Sequence, residues 1–362
     1  FISINDVEQG NLRKICDEVF GVVNFVATIV WQKKYAATND AKGFSTTHDY
    51  ILCIQKSVNF NRNLLPRTEE QNKPYKNDDN DGKGLWRSDN LLVKSFSATA
   101  VYPIINPNTG EEFYPSEGSS WRASKETMAK WLQENRIYFG KDGKGAPQLK
   151  RYLNEVQQGR VPITWWNFEE VGHNDGANKE LKALFNSKPP FDTPKPTSLI
   201  KQMLLIATQP NDLILDFFAG SSTTAHAVMQ LNAEDGGNRK FIMVQIPEAT
   251  DSKSEAHKAG YPTIAEISKE RIRRAGTKIR QDNADKDLSH LDTGFRVLKI
   301  DTSNMNDIYY RPQDYNQDLL ATLENNIKED RSDEDLLFQF MLDTGVPLSL
   351  PIERTELSSK SG

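Results

Sequence analysis

Apolar and polar positions alternate along the chain in patterns that predict strands and helices near its start. The apolar runs at 1–4, 24–31 and 49–55 are typical of strands, whereas residues 9–20 have apolar positions at helical spacing. A polar loop at 33–47 joins the second and third runs, which predicts that these two strands pair antiparallel.

Residues 190–300 show a regular alternation of helix and strand patterns. The spacing predicts helices at 196–208, 223–231 and 263–280, and strands at 212–217, 240–246 and 295–300. Because strands that alternate with helices favour parallel pairing, we expect a parallel sheet in this part of the chain.

Two other segments are less regular. Residues 58–160 are rich in turn signals, and only 125–134 and 147–157 have a helical pattern there. Residues 301–362 predict two short amphipathic helices, the second of which ends at Gly345.

Composition narrows the class of protein. The 362 residues allow two or three domains, or one large α/β domain with an insertion. Two cysteines, Cys16 and Cys53, cannot form a disulfide-rich scaffold or a four-thiolate zinc site, which favours a reducing, cytoplasmic compartment. The longest apolar run, 22–31, is far shorter than the ~20 residues of a membrane helix. The chain opens with Phe1 rather than Met, so we expect it to be a fragment.

Charge is distributed unevenly along the chain. The net charge is −5, but residues 58–160 contain 16 basic and 13 acidic residues, and residues 281–362 contain 8 basic and 17 acidic residues. The first segment could therefore meet a polyanion, which the second would repel.

The segment 213–224 carries the strongest chemical signal. An apolar strand ends at Asp216, a turn of small residues follows, and a helix begins. Ligands bind at the carboxyl ends of such strands, where a helix amino terminus offers free N–H groups. The turn lacks the G-x-G-x-x-G of a dinucleotide site, but Phe218-x-Gly220 fits the first half of an S-adenosylmethionine motif. A plain strand–helix connection, in which Asp216 only caps the turn, is the alternative.

Motifs along nearly the whole chain resemble β-class DNA methyltransferases, and in particular the modification subunit of type III restriction–modification systems. The matching segments are 1–8, 86–89, 193–200, 215–221, 223–228, 232–242 and 294–297. The resemblance implies an α/β, Rossmann-like S-adenosylmethionine-dependent methyltransferase fold in permuted, β-class order. It also implies a loop-rich target recognition insertion and a small α-rich carboxyl-terminal region.

The resemblance implies methyl transfer from S-adenosylmethionine to adenine N6 in duplex DNA. It further implies a homodimer and a helicase–nuclease restriction subunit as partner. The implied divisions are the second half of the catalytic subdomain (1–57), the target recognition domain (58–160), the cofactor-binding half (161–300) and a carboxyl-terminal interaction region (301–362).

Site residues follow from the same resemblance. The implied cofactor-binding residues are Phe191, Lys195, Pro196, Asp216, Phe218, Gly220, Ser221, Ser222, Thr223, Thr224, Gln245 and Glu248. The implied target-base pocket contains Trp31, Lys33, His48 and Tyr50, with Asp49 beside them. The candidate DNA contacts are Lys83, Arg87, Arg122, Lys125, Arg136, Lys150 and Arg151. No metal site is expected, and His226 is expected to be structural. The basic residues of the helix at 263–280, Arg271 among them, lie on a surface helix or contact phosphates.

The chain departs from the family pattern in three places. The catalytic Asp-Pro-Pro-Tyr is absent, and Lys188-Pro189-Pro190-Phe191 is an accidental match, because lysine cannot accept a hydrogen bond from the adenine amino group. The motif is expected upstream, on a strand between 212–217 and 1–4, so this chain alone should be inactive. Ser222 stands where glycine is common and would fit with a negative φ. Gln245 stands where an acidic ribose ligand is common, and it can still bind hydroxyls.

Three other functions remain open on the sequence. The chain could be a solitary DNA methyltransferase, or a non-enzymatic DNA-binding module on a degenerate methyltransferase fold. A dinucleotide oxidoreductase fits poorly, since the glycines that it needs are absent. Adenine and cytosine targets are not distinguished without the catalytic motif.

Overall fold

Regular elements of a mixed α/β fold occur throughout residues 1–37, 41–186, 189–306 and 326–355, which are the residues that the computed structural model describes. The strands are β1 (Ile2–Ile4), β2 (Phe25–Gln32), β3 (His48–Ile54), β4 (Trp86–Asp89), β5 (Leu92–Val93), β6 (Ile104–Ile105), β7 (Glu112–Phe113), β8 (Ser120–Trp121), β9 (Ile137–Tyr138), β10 (Gln148–Tyr152), β11 (Trp165–Trp166), β12 (Leu213–Asp216) and β13 (Lys240–Met243). The helices are α1 (Asp6–Phe20), α2 (Glu69–Asn72), α3 (Lys125–Gln133), α4 (Phe168–Val171), α5 (Asn174–Phe185), α6 (Thr197–Ala207), α7 (Thr223–Asp235), α8 (Glu255–Lys258), α9 (Ile264–Asp282) and α10 (Asp333–Asp343). Two compact units divide the chain, Phe1–Gly294 and Phe295–Gly362.

The first sheet has the strand order β1-β3-β2-β11. Strands β2 and β3 pair antiparallel, which confirms the prediction, and their register sets Trp31 opposite Asp49. On the other side of β3, Ile4 of β1 lies opposite Tyr50. The core beneath this sheet contains Trp31, Trp166 and Leu199, so α6 packs here.

The second sheet is the parallel pair of β12 and β13, as the strand–helix alternation predicts. Ile214 and Phe241 pack against Val228 and Leu231 of α7 on one face. Side chains on the other face are solvent-exposed, Leu213 to 61%. In the described part of the chain, β12 pairs only with β13 and β1 pairs only with β3.

The middle of the chain forms small sheets around a separate core that includes Leu91, Trp121 and Met128. Helix α3 is confirmed, but the predicted helix at 147–157 is wrong. Residues Gln148–Tyr152 form strand β10, which pairs with β4 on one side and β9 on the other, and a short 3-10 turn follows. Lys150 and Tyr152 are buried on one face of β10, and Leu149 on the other face packs against this core, as the alternation of a strand requires.

The predicted strand at 295–300 is also wrong. These residues have no regular secondary structure, and among the described residues Val297 and Leu298 remain about half exposed and Ile300 fully exposed. In the same unit, α10 is confirmed, with Ser332 capping its amino terminus and Gly345 following its end at φ +72°. The first predicted helix of this region lies on residues outside the described ranges. No helix in the described ranges is long and apolar enough to cross a membrane.

Candidate functional site

The turn after β12 is held by the carboxylate of Asp216. Its Oδ1 accepts a hydrogen bond from the Phe218 amide (3.2 Å), and its Oδ2 accepts one from the Thr224 hydroxyl (2.6 Å). Both carboxylate oxygens therefore bind the turn that follows Asp216. This is the capping role that the sequence analysis left open as the alternative to ligand binding. The bond to Thr224 joins the end of the strand to the first turn of α7.

Gly220 makes the turn possible and brings two other candidate residues to it. Its φ is +54°, and a Cβ at this position would lie 3.3 Å from Cζ of Phe191. The Gly220 amide donates to Oε1 of Gln245 (2.7 Å). Gln245 therefore contacts the backbone of the turn. Its position in the sequence, shortly after β13, does not reveal this contact.

Ser222 adopts a backbone conformation that the sequence analysis did not expect. Its φ is +59° and its ψ is 43°, so the condition of a negative φ is wrong. The residue is completely buried, and its hydroxyl has no hydrogen-bond partner among the described residues. A non-glycine residue in the left-handed region costs about 1–2 kcal/mol, so the turn is strained at this position.

Arg271 of α9 lies behind the turn and is completely buried. Its Nη1 donates to the hydroxyls of Ser221 (2.8 Å) and Thr223 (2.7 Å). Desolvation lowers the pKa of Arg271 to about 10, with Glu180 opposing, so it is still charged at neutral pH. The expectation that Arg271 lies on the surface or contacts phosphates is therefore wrong. Its spacing of four residues from Ile267 and from Ala275 was the available signal, since it places Arg271 on the apolar side of the helix.

His226 of α7 is buried beside this arginine, as its expected structural role requires. Desolvation, with the charges of Arg271 and Lys278, lowers the pKa of His226 to about 3. Its Nδ1 lies 3.5 Å from a carboxylate oxygen of Glu180. Burial and the arginine outweigh that carboxylate, so the imidazole is neutral at pH 7.

A second polar cluster combines candidate cofactor and target-base residues. Nζ of Lys33 lies 2.6 Å from one oxygen of the buried Asp49 carboxylate, and Nζ of Lys195 lies 4.0 Å from the other. The Lys195 ammonium also lies 4.9 Å from the centre of the Trp31 ring. Desolvation lowers the pKa of Lys195, and Asp49 opposes that shift.

The other candidate base-pocket residues differ in accessibility. Trp31 is completely buried, and its indole N–H donates to the Gly172 carbonyl (3.0 Å), so Trp31 is a core residue rather than an open wall. His48 Nε2 and the Tyr50 hydroxyl lie 3.2 Å apart, and both side chains are half-buried. Desolvation and the neighbouring Asp6 raise the pKa of Tyr50.

Three other candidate cofactor residues differ in exposure and position. Phe218 is 80% exposed and its ring lies 4.9 Å from that of Phe217. Pro196 is buried and directly precedes α6. Glu248 is exposed, and its carbonyl accepts a hydrogen bond from the Ile264 amide at the start of α9 (3.0 Å).

Three of the candidate DNA contacts are occupied within the protein. Lys83 pairs with Asp81 (2.9 Å) and donates to the Glu134 carbonyl, and Arg136 pairs with Glu155. Lys150 is buried and lies 2.6 Å from Asp79. A phosphate contact by Lys150 is therefore wrong for this structure, because only 6% of its side chain is exposed and Asp79 binds its ammonium group.

Other candidate DNA contacts remain accessible. Arg122 and Arg151 both bind Oδ2 of Asp89, at 3.0 and 3.2 Å, with 36% and 48% of their side chains exposed. Arg87 lies over the ring of Tyr75, and Lys125 is exposed at the start of α3. Asp89 also borders a cleft of about 390 Å³, whose other lining residues include Asn90, Phe113, Tyr114, Trp121 and Gln148. Within the described ranges, no group of His, Cys, Asp or Glu side chains is arranged to hold a metal ion.

Comparison with known proteins identifies the family. A model of the DNA methylase family matches residues 1–273, which is more than half of the chain, so the chain belongs to that family. It is 39% identical over 307 residues to the StyLTI Mod subunit of a type III restriction-modification enzyme from Salmonella typhimurium. This alignment covers 83% of this chain and 45% of that protein. It is 31% identical over 342 residues to the type III EcoP15I Mod subunit from Escherichia coli, covering 83% and 49%. The type II methyltransferase M.KpnI from Klebsiella pneumoniae is 30% identical over 293 residues, covering 75% and 67%.

These matches confirm the resemblance to type III modification subunits. The chain spans about half the length of these two type III proteins.

Ser222→Gly is expected to stabilise the protein. Glycine adopts the observed φ of +59° without the steric cost of a Cβ, and the substitution removes the unpartnered hydroxyl. We expect the free energy of unfolding in urea to rise by up to about 1 kcal/mol. The control Ser221→Gly should lower it, because it removes an acceptor of Arg271. A lower free energy of unfolding in Ser222→Gly would contradict the interpretation that the turn is strained at this residue.

Stability should fall in acid because of His226. The pKa of this group is about 3 in the folded protein and near 6.5 when unfolded, so the unfolded state binds more protons between these values. Its contribution is complete above pH 6.5 and decreases toward pH 3, by at most about 1.4 kcal/mol per pH unit. Urea unfolding at several pH values should therefore show a shallower pH dependence in His226→Gln than in the wild type. The matched variant of the exposed His257, His257→Gln, should keep the wild-type slope, and equal slopes in all three proteins would exclude this effect.

Proposed function

We propose that this chain forms the cofactor-binding and DNA-recognising part of an adenine-N6 DNA methyltransferase that is the modification subunit of a type III restriction–modification system. The observation that carries the proposal is the glycine turn at the carboxyl end of β12, in a chain of the DNA methylase family. Carboxyl ends of parallel strands are where α/β proteins bind their ligands. The relatives named as type III Mod subunits support the type III assignment.

The residues around the turn fit S-adenosylmethionine. Gly220 leaves room that a Cβ would fill next to Phe191, and exposed Phe218 offers an aromatic surface at the same turn. Lys195, which has only Asp49 at 4.0 Å as an ionic partner among the described residues, would bind the methionine carboxylate. The cofactor would supply a methyl group on a sulfonium. The residues of this chain would bind and orient it, with Asp216 and Gln245 fixing the turn.

Methyl transfer is proposed for the whole protein. The tetrapeptide Asp-Pro-Pro-Tyr does not occur in the 362 residues, so this chain alone would be inactive. We propose that its strand lies between β12 and β1 in the permuted, β-class order. Two observations support this: each strand has an edge without a partner in the described residues, and Leu213 is exposed on the uncovered face of the second sheet. The target adenine would lie near His48 and Tyr50 after leaving the duplex.

Residues 58–160 are proposed to be the target recognition domain. Arg122 and Arg151, oriented together by Asp89 beside the cleft, supply two exposed guanidinium groups that can bind phosphate or guanine. A homodimer and a restriction subunit are proposed as partners of the whole protein. A DNA methyltransferase outside a type III system is the second candidate, which the match to the type II methyltransferase M.KpnI favours, and co-purification of a type III restriction subunit would exclude it.

Binding of S-adenosylhomocysteine tests the cofactor site. Calorimetric titration of the chain should give a micromolar Kd, and Asp216→Ala should weaken binding at least about tenfold, because the turn loses hydrogen bonds to a charged group. The control Asp212→Ala removes a carboxylate that accepts from the Gln209 amide before the same strand, and its affinity should stay at the wild-type value. If neither this chain nor the whole protein binds, the proposed enzyme function is excluded.

Salt-dependent DNA binding tests the recognition domain. The double variant Arg122→Ala and Arg151→Ala should lower the affinity for duplex DNA in fluorescence anisotropy. Its plot of log K against log salt should be shallower by about one to two, since each phosphate contact contributes about 0.9 to the slope. The exposed Lys179 of α5 supplies the control Lys179→Ala, which should leave the slope unchanged. A double variant with the wild-type slope would place the DNA contacts elsewhere.

A further inference from the structure

We propose that Arg271, together with Glu180, is a positioning residue that fixes the two walls of the proposed cofactor site relative to each other. One wall is the turn at 220–224, and the other is the start of α6 after Lys195 and Pro196. The importance of this arrangement for cofactor binding rests on the proposed function. The arrangement itself rests only on the contacts of the described residues.

The environment of Arg271 is unusual for a charged side chain. It is completely buried, and its Nε and Nη2 have no hydrogen-bond partner within the described part of the chain. A buried guanidinium is costly unless it is paired, and an apolar side chain of similar size is often the more stable choice. Among the described residues, Glu180 at 3.7 Å is the only ionic partner of Arg271, and Nη1 binds the two hydroxyls. These contacts all connect α9 to other segments, so the group joins segments rather than stabilising its own helix.

The contacts to the turn surround its strained residue. A single nitrogen of Arg271 binds Ser221 and Thr223, the neighbours of left-handed Ser222 on either side. Ser268, one helical turn earlier on the same side of α9, donates its hydroxyl to the Gly220 carbonyl. Together these bonds oppose relaxation of Ser222 toward a more favourable φ. Lysine would not reproduce this arrangement, because its side chain ends one atom short of Nη1 and it has no second nitrogen to face Glu180 as Nη2 does.

Glu180 extends the connection to the second wall. Its Oε1 faces Arg271, and its Oε2 accepts a hydrogen bond from the amide of Thr197, the first residue of α6 (3.4 Å). That residue directly follows Lys195 and Pro196, which the proposed function assigns to the cofactor site. Glu180 therefore links Arg271 to the segment that carries Lys195, and His226 beside it is neutral and adds no competing charge.

Hydrogen exchange in Arg271→Lys tests the positioning role without any ligand. The amides of Gly220 and Ser222 are hydrogen-bonded in the turn, so their exchange reports its local opening. We expect their exchange to accelerate at least about tenfold relative to the wild type, because charge-assisted bonds to the turn are lost. The affinity for S-adenosylhomocysteine should fall by a similar factor below the unfolding temperature.

Arg274→Lys is the matched control. Arg274 lies three residues further along α9 and pairs with Glu270 at 2.7 Å. Its guanidinium also packs on the Phe185 ring and donates to the Phe185 carbonyl, away from the turn. Its variant should change global stability without changing turn exchange or affinity. If Arg271→Lys matches Arg274→Lys in both measurements, the positioning role is excluded. Fast turn exchange in Arg271→Lys, with no cofactor binding by the wild-type chain or the whole protein, would exclude the proposed function and leave the positioning role intact.

A second route removes the acceptors instead of the arginine, in case Arg271→Lys does not fold. The double variant Ser221→Ala and Thr223→Val leaves the sequence of α9 unchanged. It should accelerate hydrogen exchange at the amides of Gly220 and Ser222. Where Arg271→Lys folds, the triple variant should change the free energy of local opening by less than the sum of the changes in Arg271→Lys and in the double variant. The reason is that both sets of substitutions disrupt the same bonds. Unchanged exchange in the acceptor pair, or strict additivity, would overturn the proposal.

Discussion

The hydrogen bonds of Asp216 to the turn that follows it are the constraint on which the candidate site depends. One carboxylate oxygen binds the Phe218 amide and the other binds the Thr224 hydroxyl, so strand β12 and helix α7 are joined across the turn. This closure brings the Gly220 backbone against Phe191 and within reach of Gln245. Without it, the two neighbouring strands would carry the same residues but would not hold them around one turn.

Two ionic clusters, each with one buried member, flank the segment that connects Phe191 to α6. Asp49 lies between the ammonium groups of Lys33 and Lys195, and Glu180 lies beside Arg271. A buried ion pair contributes little net stability, since desolvation offsets most of the attraction. Its value here is positional, because each cluster joins elements that are far apart in sequence. A site assembled from distant segments needs such links to keep its geometry.

Strands β1 and β12 each have an edge without a partner among the described residues, in a chain that spans about half the length of its type III relatives. Family membership follows from the match over residues 1–273, and the type III proteins are about twice as long as the aligned region. Apolar side chains of β12 and β13 are exposed to solvent on one face of the sheet, which is unusual in a folded domain. They fit a methyltransferase domain in which further chain completes the sheet, as proposed above.

Local patterns determined much of the fold. The antiparallel pair of β2 and β3, the parallel pair of β12 and β13, and the turn after Asp216 all follow from apolar spacing and turn chemistry. Local patterns failed at Gln148–Tyr152, where pairing with two neighbouring strands overrides a helical pattern. They also failed at 295–300, where Val297, Leu298 and Ile300 are exposed in the described part of the chain and no strand forms.

The sequence by itself determined which residues form the glycine turn and that the chain resembles DNA methyltransferases. Only the tertiary structure decided what these residues contact. Arg271 is inside the protein, Lys150 is bound to Asp79, and Gln245 binds the turn backbone. The reason is physical: the energy of a charged or polar side chain depends on its distance from partners and on its exposure to water, and both are set by segments remote in sequence.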